Sequence, residues 1–322
     1  MKYKHLTPEQ RYQISAYKQT GWTRTKIARE LGVHKATIGR ELRRNVSQRG
    51  YRPKKAEELA QKRRRGKGTT RISPATWETI ENALRQQWSP DQISRRLEHE
   101  GKPTASHEWI YQHIYHDKRQ GGTLHENLRC RRKRKKRYGV NSQRGVLVNQ
   151  IRIDERPAVV AEKSRLGDWE VDSVIGKGHQ QSIVTMVERK TKLLRMMKID
   201  HKTGSLTRDA ICTQLQNLVV QTITSDNGKE FSEHEEIARQ LNAAFYFCHP
   251  YSSWERGVNE NTNGLIRQYF PKHTEFVTIT EMDIQEAQEK LNHRPRKTLG
   301  YLTPYEVYFK ELAKLTKVAL TS

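Results

Sequence analysis

The chain has 322 residues, with 60 Lys plus Arg against 36 Asp plus Glu and a formal net charge of +24. That length allows two or three domains and a sizeable core. The charge points to a polyanionic partner, most simply nucleic acid, although a ribosomal or chromatin protein would share it. Cys130, Cys212 and Cys248 are far apart in the sequence, which excludes a disulfide scaffold and leads to a cytoplasmic expectation. A zinc module would need more thiols than Cys130 near His99, His107, His113 and His116. No apolar run has transmembrane length, so no membrane partner is expected.

Thr7-Pro8-Glu9-Gln10 combines an N-cap, a first-position proline and a glutamine three residues after the cap, so a helix follows. Gly21 ends it. Thr23 caps a short helix through Ile27, Ala28 and Leu31, Gly32-Val33 turns, and a further helix runs from Lys35 to Arg44. This is the pattern of a helix-turn-helix, and residues 1–50 are expected to be a DNA-binding domain. Lys35, Ala36, Thr37, Arg40 and Arg43 fall on its second helix, where base edges are read.

Residues 51–70 are rich in Arg, Lys, Gly and Gln, with a weak helical stretch in the middle, and read as a basic linker that touches phosphates. Residues 71–120 form a second helical unit: Trp77, Ile80 and Leu84 line one helix, Ser89-Pro90-Asp91-Gln92 caps the next, and Ser106 caps a third. It resembles a helix-turn-helix with a long turn, whose exposed face would offer His107, Tyr111 and Gln112 to DNA. Residues 121–150 read as a basic arm. Between Arg129 and Arg137 every residue except Cys130 is basic, so Arg131, Arg132, Lys133 and Arg134 are expected over the DNA backbone.

From about Ile151 the pattern changes. Asp168–Ile175, Gln181–Glu188 and Leu193–Ile199 read as three antiparallel strands. A helix over Leu206–Leu218 follows. A strand then ends at Thr224-Ser225-Asp226-Asn227-Gly228. A helix over Glu233–Leu241, a strand over Ala243–Cys248 and further helices complete a mixed α/β layout over residues 151–316, with a tail at 317–322. Acids are embedded in three of these elements. Asp168, Glu170 and Asp172 alternate onto one face of the first strand, Asp226 sits where a buried strand ends, and Glu260 lies on a late helix. Spacing alone does not choose among the first three. Separated carboxylates of this kind suit hard cations, because Mg²⁺ takes oxygen ligands and keeps several waters.

The order of elements, the block Asp168-Trp169-Glu170-Val171-Asp172, the 33 residues between Asp226 and Glu260, the run Asn259–Lys272 and the late segment Asn292–Tyr301 resemble the bacterial insertion-sequence-thirty family of DDE transposases. Nearly the whole chain is covered. The resemblance implies an all-α helix-turn-helix N-terminal region followed by an α/β ribonuclease H-like mixed-sheet catalytic domain, akin to retroviral integrases. It implies Asp172, Asp226 and Glu260 as catalytic and metal-binding acids, with Arg267 as the basic residue two helical turns after the glutamate. It implies Mg²⁺, with Mn²⁺ able to substitute, and double-stranded DNA as partner: terminal inverted repeats first, then target DNA, bound by a homo-oligomer. The activity implied is strand cleavage and strand transfer. A non-catalytic repressor built on the same scaffold is the rival reading.

Overall fold

The computed structural model describes residues 5–47, 50–66, 72–129, 147–178, 181–250, 252–272 and 274–321. The chain divides into two compact units, 1–73 and 74–322.

In the first unit, α1 (Pro8–Gln19) begins on a reciprocal cap between Thr7 and Gln10. Gly32 takes φ +61° in the turn between α2 (Arg24–Glu30) and α3 (Lys35–Arg44), a conformation that suits glycine. Ile14, Ile27, Ala28 and Ile38 close the core together with Tyr51 and Ala56. Those last two residues correct the sequence reading of 51–70. Pro53–Gly66 is a helix, α4, not a linker. It packs on α1 because Ala56 and Ala60, one turn apart, turn an apolar stripe inward. Buried Arg11 ties the unit together. Its Nε donates to Glu41 on α3 at 2.9 Å, its Nη1 reaches Glu57 on α4, and the Tyr51 hydroxyl donates to Glu41 at 3.2 Å.

The second unit begins with α5 (Pro74–Arg85), α6 (Pro90–His99) and α7 (His107–Arg119). Ile80, Leu84, Ile93, Leu97, Ile110 and Ile114 are their buried residues. Trp77 stacks on His113 at 4.1 Å. The N-terminal half of α6 docks on the segment around Pro295–Glu306. Gln92 donates to the Pro295 carbonyl at 2.6 Å, the Tyr301 hydroxyl donates to Asp91 at 3.1 Å, and Arg96 holds Glu306 through both terminal nitrogens, at 2.7 and 2.5 Å. This helical unit therefore belongs to the same compact body as the sheet.

After α8 (Ala158–Glu162) come β1 (Asp168–Ile175), β2 (Ser182–Glu188), β3 (Leu194–Ile199), α9 (Gly204–Leu215), β4 (Thr222–Ser225), α10 (His234–Leu241), β5 (Ala244–Phe247), α11 (Gly257–Ile266), α12 (Glu281–Asn292) and α13 (Pro304–Thr321). Helix α13 runs through most of the expected tail. The sheet order is β3-β2-β1-β4-β5. The first three strands form the expected antiparallel meander, and β4 and β5 join in parallel. Strand alternation then sorts the residues. Trp169 and Val171 pack with Ile211, Leu215, Phe231 and Tyr308 on one face. Val174 packs with Val258, Ile266 and Leu291 of α11 and α12 on the other, which is also the face that Asp168, Glu170 and Asp172 share. Edge strand β3 is covered by α12, whose Gln288 accepts from Met196 N and whose Asn292 bonds both backbone groups of Leu194, a device that blunts an open edge.

The Arg96–Glu306 link predicts a pH-dependent docking term. Arg96 holds the Glu306 carboxyl down at about 2, against about 4.3 in an unfolded chain. A lowered carboxyl stabilises above the unfolded value and loses that contribution as pH falls toward the folded one. Arg96→Met should therefore cost at most about 1 kcal/mol at pH 7, since the pair is partly open to solvent. In urea titrations the gap to wild type should close between roughly pH 4.3 and pH 2.

Candidate active site

Strand register brings two of the acids together. β1 and β4 pair in parallel with Asp168 opposite Thr222 and Glu170 opposite Thr224; continued by two residues, that register sets Asp226 beside Asp172. Arg256, in the turn before α11, bridges them, with Nη1 3.1 Å from Asp172 Oδ2 and Nη2 3.3 Å from Asp226 Oδ2. The guanidinium side chain is 10% exposed, against 21% and 24% for the two aspartates, so the cation lies behind the pair and the carboxylates face outward. Arg256 also donates to the Val171 carbonyl at 3.2 Å. Asn263 of α11 donates to Asp172 Oδ2 at 3.0 Å, and Asp226 Oδ1 accepts from Gly228 N at 2.9 Å. Burial raises the Asp172 carboxyl above its ordinary value, and the Asp226 charge adds to the rise while Arg256 opposes it.

The other two acids of β1 go elsewhere. Asp168 is fully buried; it accepts from Thr222 Oγ1 at 2.8 Å and from Arg165 at 2.9–3.2 Å. Glu170 accepts from Asn259 N, in the first turn of α11, at 2.9 Å. It thereby caps a helix that has no side-chain cap of its own. Its other oxygen lies 3.3 Å from Arg189 Nε, at ion-pair distance but without hydrogen-bond geometry.

The expected convergence of three acids is met by two. Glu260 is exposed, and among the described residues no three His, Cys, Asp or Glu groups gather where they could hold one ion. The cause is the way α11 is pinned. Asn259 is buried and its backbone N–H donates to Glu170, while the Thr185 hydroxyl of β2 lies within hydrogen-bond reach of the side-chain oxygens of Asn259 at 3.4 Å and Asn263 at 3.2 Å. With both asparagines turned to the sheet, Glu260 is about 100° further round the helix. Arg267 ends α11 and donates to the carbonyls of Ile175 at 2.9 Å and Phe270 at 3.4 Å, so its guanidinium braces the end of β1. Glu230 is a buried neighbour: it accepts from Ser173 Oγ at 2.9 Å and pairs with Lys202 at 2.7 Å. The turn carrying Arg256 is itself tied down, because Glu255 accepts from His249 N and meets His249 Nδ1, both at 2.9 Å, while His249 Nε2 meets Asp154 at 2.9 Å.

In the first unit, Lys35, Ala36, Arg40 and Arg43 are exposed on α3 and Thr37 is half-buried. Arg40 Nε donates to its own helix at Ala36 O, 3.1 Å away. On α7, His107 and Gln112 are exposed and Tyr111 is half-buried. Arg131, Arg132, Lys133 and Arg134 lie outside the described residues. Among the described residues no helix is long and apolar enough to cross a membrane.

A helix-turn-helix domain family matches residues 2–45. Over nearly the whole chain the similarity is to transposases. The chain is 44% identical over 325 residues to the transposase for insertion sequence element IS4351 of Bacteroides fragilis, with 99% of each covered. It is 34% identical to the transposase for IS1086 of Cupriavidus metallidurans, covering 98% of this chain and 97% of that one, and 33% identical to that for IS30C of Escherichia coli, covering 96% and 84%. The crystal structure of the catalytic core domain of BIV integrase aligns with a TM-score of 0.38 at 24% identity, over 47% of this chain and 97% of that one. Whole-length similarity of this kind, on a helix-turn-helix unit followed by a mixed sheet with helices on both faces, defines an insertion-sequence transposase. The chain belongs to the IS30 family.

Glu170 gives the site its sharpest structural test. Glu170→Ala removes the cap of α11 and leaves Arg189 buried beside a void, so unfolding in urea should become easier by about 3–5 kcal/mol. Glu170→Gln keeps an acceptor for Asn259 N and should cost clearly less. Equal costs would mean that the cap contributes nothing.

Proposed function

We propose that this transposase cuts DNA at the terminal inverted repeats of its element and joins the freed 3′-hydroxyl to target DNA, using Asp172, Asp226 and Glu260. The observation that carries the reading is the pair of carboxylates at neighbouring strand positions, facing outward, with Arg256 behind them. Two adjacent carboxylates open to solvent make a site that suits a hard cation. The donor set fits Mg²⁺, which binds through one or two carboxylates and retains waters. Asp172 and Asp226 would hold it, and Glu260, one turn before Asn263 on α11, would be the third acid after a local turn of its side chain or helix. Bound there, Mg²⁺, or Mn²⁺ in its place, would polarise the phosphodiester and lower the pKa of the attacking water or hydroxyl. Asn263 and the backbone of Ser173 fix the Asp172 carboxylate through bonds of 3.0 and 2.8 Å. Arg256 holds the two carboxylates side by side.

DNA recognition is assigned to α3, through Lys35, Ala36, Thr37, Arg40 and Arg43, with His107, Tyr111 and Gln112 as a second contact. Assembly as a homo-oligomer on paired ends belongs to the same reading. Two experiments test it. Asp172→Asn, Asp226→Asn and Glu260→Gln should each lower Mg²⁺-dependent cleavage and strand transfer by orders of magnitude while DNA binding persists. Asp168→Asn should lower stability and leave chemistry in the folded fraction intact. Full activity in all three acid variants would place the chemistry on other residues, and absence of Mg²⁺-dependent cleavage by the wild-type chain would leave a DNA-binding repressor. Separately, Arg40→Ala should cost about 1–3 kcal/mol on the cognate end and little on random DNA; an equal loss on both would make Arg40 a phosphate contact.

A further inference from the structure

The first turns of α11 also wall one side of a second feature, a cavity of about 190 Å³ closed by Lys163, Lys192 and Arg296, with Thr262 and Thr298 between them. The three cations come from three separate places: the end of α8, the β2–β3 turn and the segment after α12. No carboxylate is among the described residues that line it. Lys163 and Lys192 both hold left-handed backbones, φ 55° and 63°, which are uncommon for lysine.

Like charges gathered in a half-buried cavity repel, although the Lys192 ammonium donates to the Arg189 carbonyl. Burial, with Lys163 adding to it, pushes the Lys192 amine down to about 8. Burial also lowers the Arg296 guanidinium, and Arg294 and Arg129 lower it further. The acids within range of Lys192 are Glu170 and Glu188. Glu170 is committed to Asn259 N and Arg189, and Glu188 to Thr191 and Gly167 N. Arg296 donates Nη2 to the Leu291 carbonyl at 3.0 Å, but its Nε is buried with no hydrogen-bond partner among the described residues. Gly257 and Val258, at the positive end of the α11 dipole, face the same space.

These features ask for an anion, and the size narrows its kind. Sites that enclose whole small molecules run to roughly 300–1,000 Å³, so this cavity suits a single anionic group. We propose that it binds one backbone phosphate of the DNA strand brought to the Asp172–Asp226 pair. The inference rests on the transposase reading above. Helix α11 would then serve both sites, with Asn261 lining the phosphate cavity and Glu260 immediately before it in sequence.

The test uses the full chain in metal-free buffer on DNA carrying the element's end, with single neutral methylphosphonates scanned through the backbone. Wild type should lose roughly tenfold in affinity at one position near the cleavage site, the loss expected for one hydrogen bond to a charged group. Lys163→Gln/Lys192→Gln should bind more weakly, show a log K against log salt slope flatter by about 0.9, and lose nothing further at that position. If the double variant does not fold, Lys163→Gln alone carries the comparison, because Lys163 is exposed. Equal sensitivity of variant and wild type at every position overturns the proposal. A second arm follows the melting temperature with inorganic phosphate. Stabilisation of wild type but not the variant, without a coupled backbone position, would mean that the cavity takes a free anion and also overturns it. Because no divalent metal is present, failure of the catalytic reading would not imitate either result.

Discussion

The parallel pairing of β1 with β4 is the constraint on which the site depends. Parallel strands give neighbouring side chains of like number the same face, so one register fixes Thr222 against Asp168 and Asp226 against Asp172. The second juxtaposition is electrostatically unfavourable. Two like charges about 4 Å apart near a protein surface repel by about 4 kcal/mol. Arg256 answers this by lying behind both carboxylates. The answer is partial: the Asp172 carboxyl remains raised, with burial as the main cause. A pair of carboxylates held side by side and facing outward is a suitable resting state for a site that takes up a hard cation.

Three acids on one strand face have three different surroundings. Asp168, at the start of β1, is closed in by Arg165 and Thr222 and fixes the strand entry. Glu170, two residues on, reaches out of the sheet to the amide of Asn259 and so sets the angle of α11. Asp172, two more residues on, lies where the sheet opens. The helix that Glu170 orients carries Asn263, which fixes Asp172, and Glu260, which remains outside. The site is therefore built by β1 acting twice, once directly and once through α11.

Much of this was legible in the residues. The limits of β1 follow from its alternation, the helix-turn-helix from its caps and from Gly32, and the meander from its short turns. What escaped sequence reading was long-range. Within residues 51–70 the lysines and arginines mask Ala56 and Ala60, so the weak helical pattern gives neither the full length of α4 nor its packing on α1, although Pro53 at the first helical position is a usable signal. The docking of α6 depends on Arg96 meeting Glu306, more than two hundred residues away, which no local pattern announces. Nothing local marks Arg256 as part of the site; the register of β1 and β4 gives it two carboxylates to serve. The order among Asp168, Glu170 and Asp172 could not be read from a period of two, because all three obey it.

The claim that Asp172 and Asp226 form a divalent-cation site is tested most directly by crystals grown with Mn²⁺ and measured at the manganese absorption edge. The account predicts an anomalous peak in contact with carboxylate oxygens of both residues, at the roughly 2.0–2.1 Å typical of a small hard cation, on the outward side of the pair from Arg256. A peak elsewhere, or none while Arg256 still bridges the two aspartates, would contradict it.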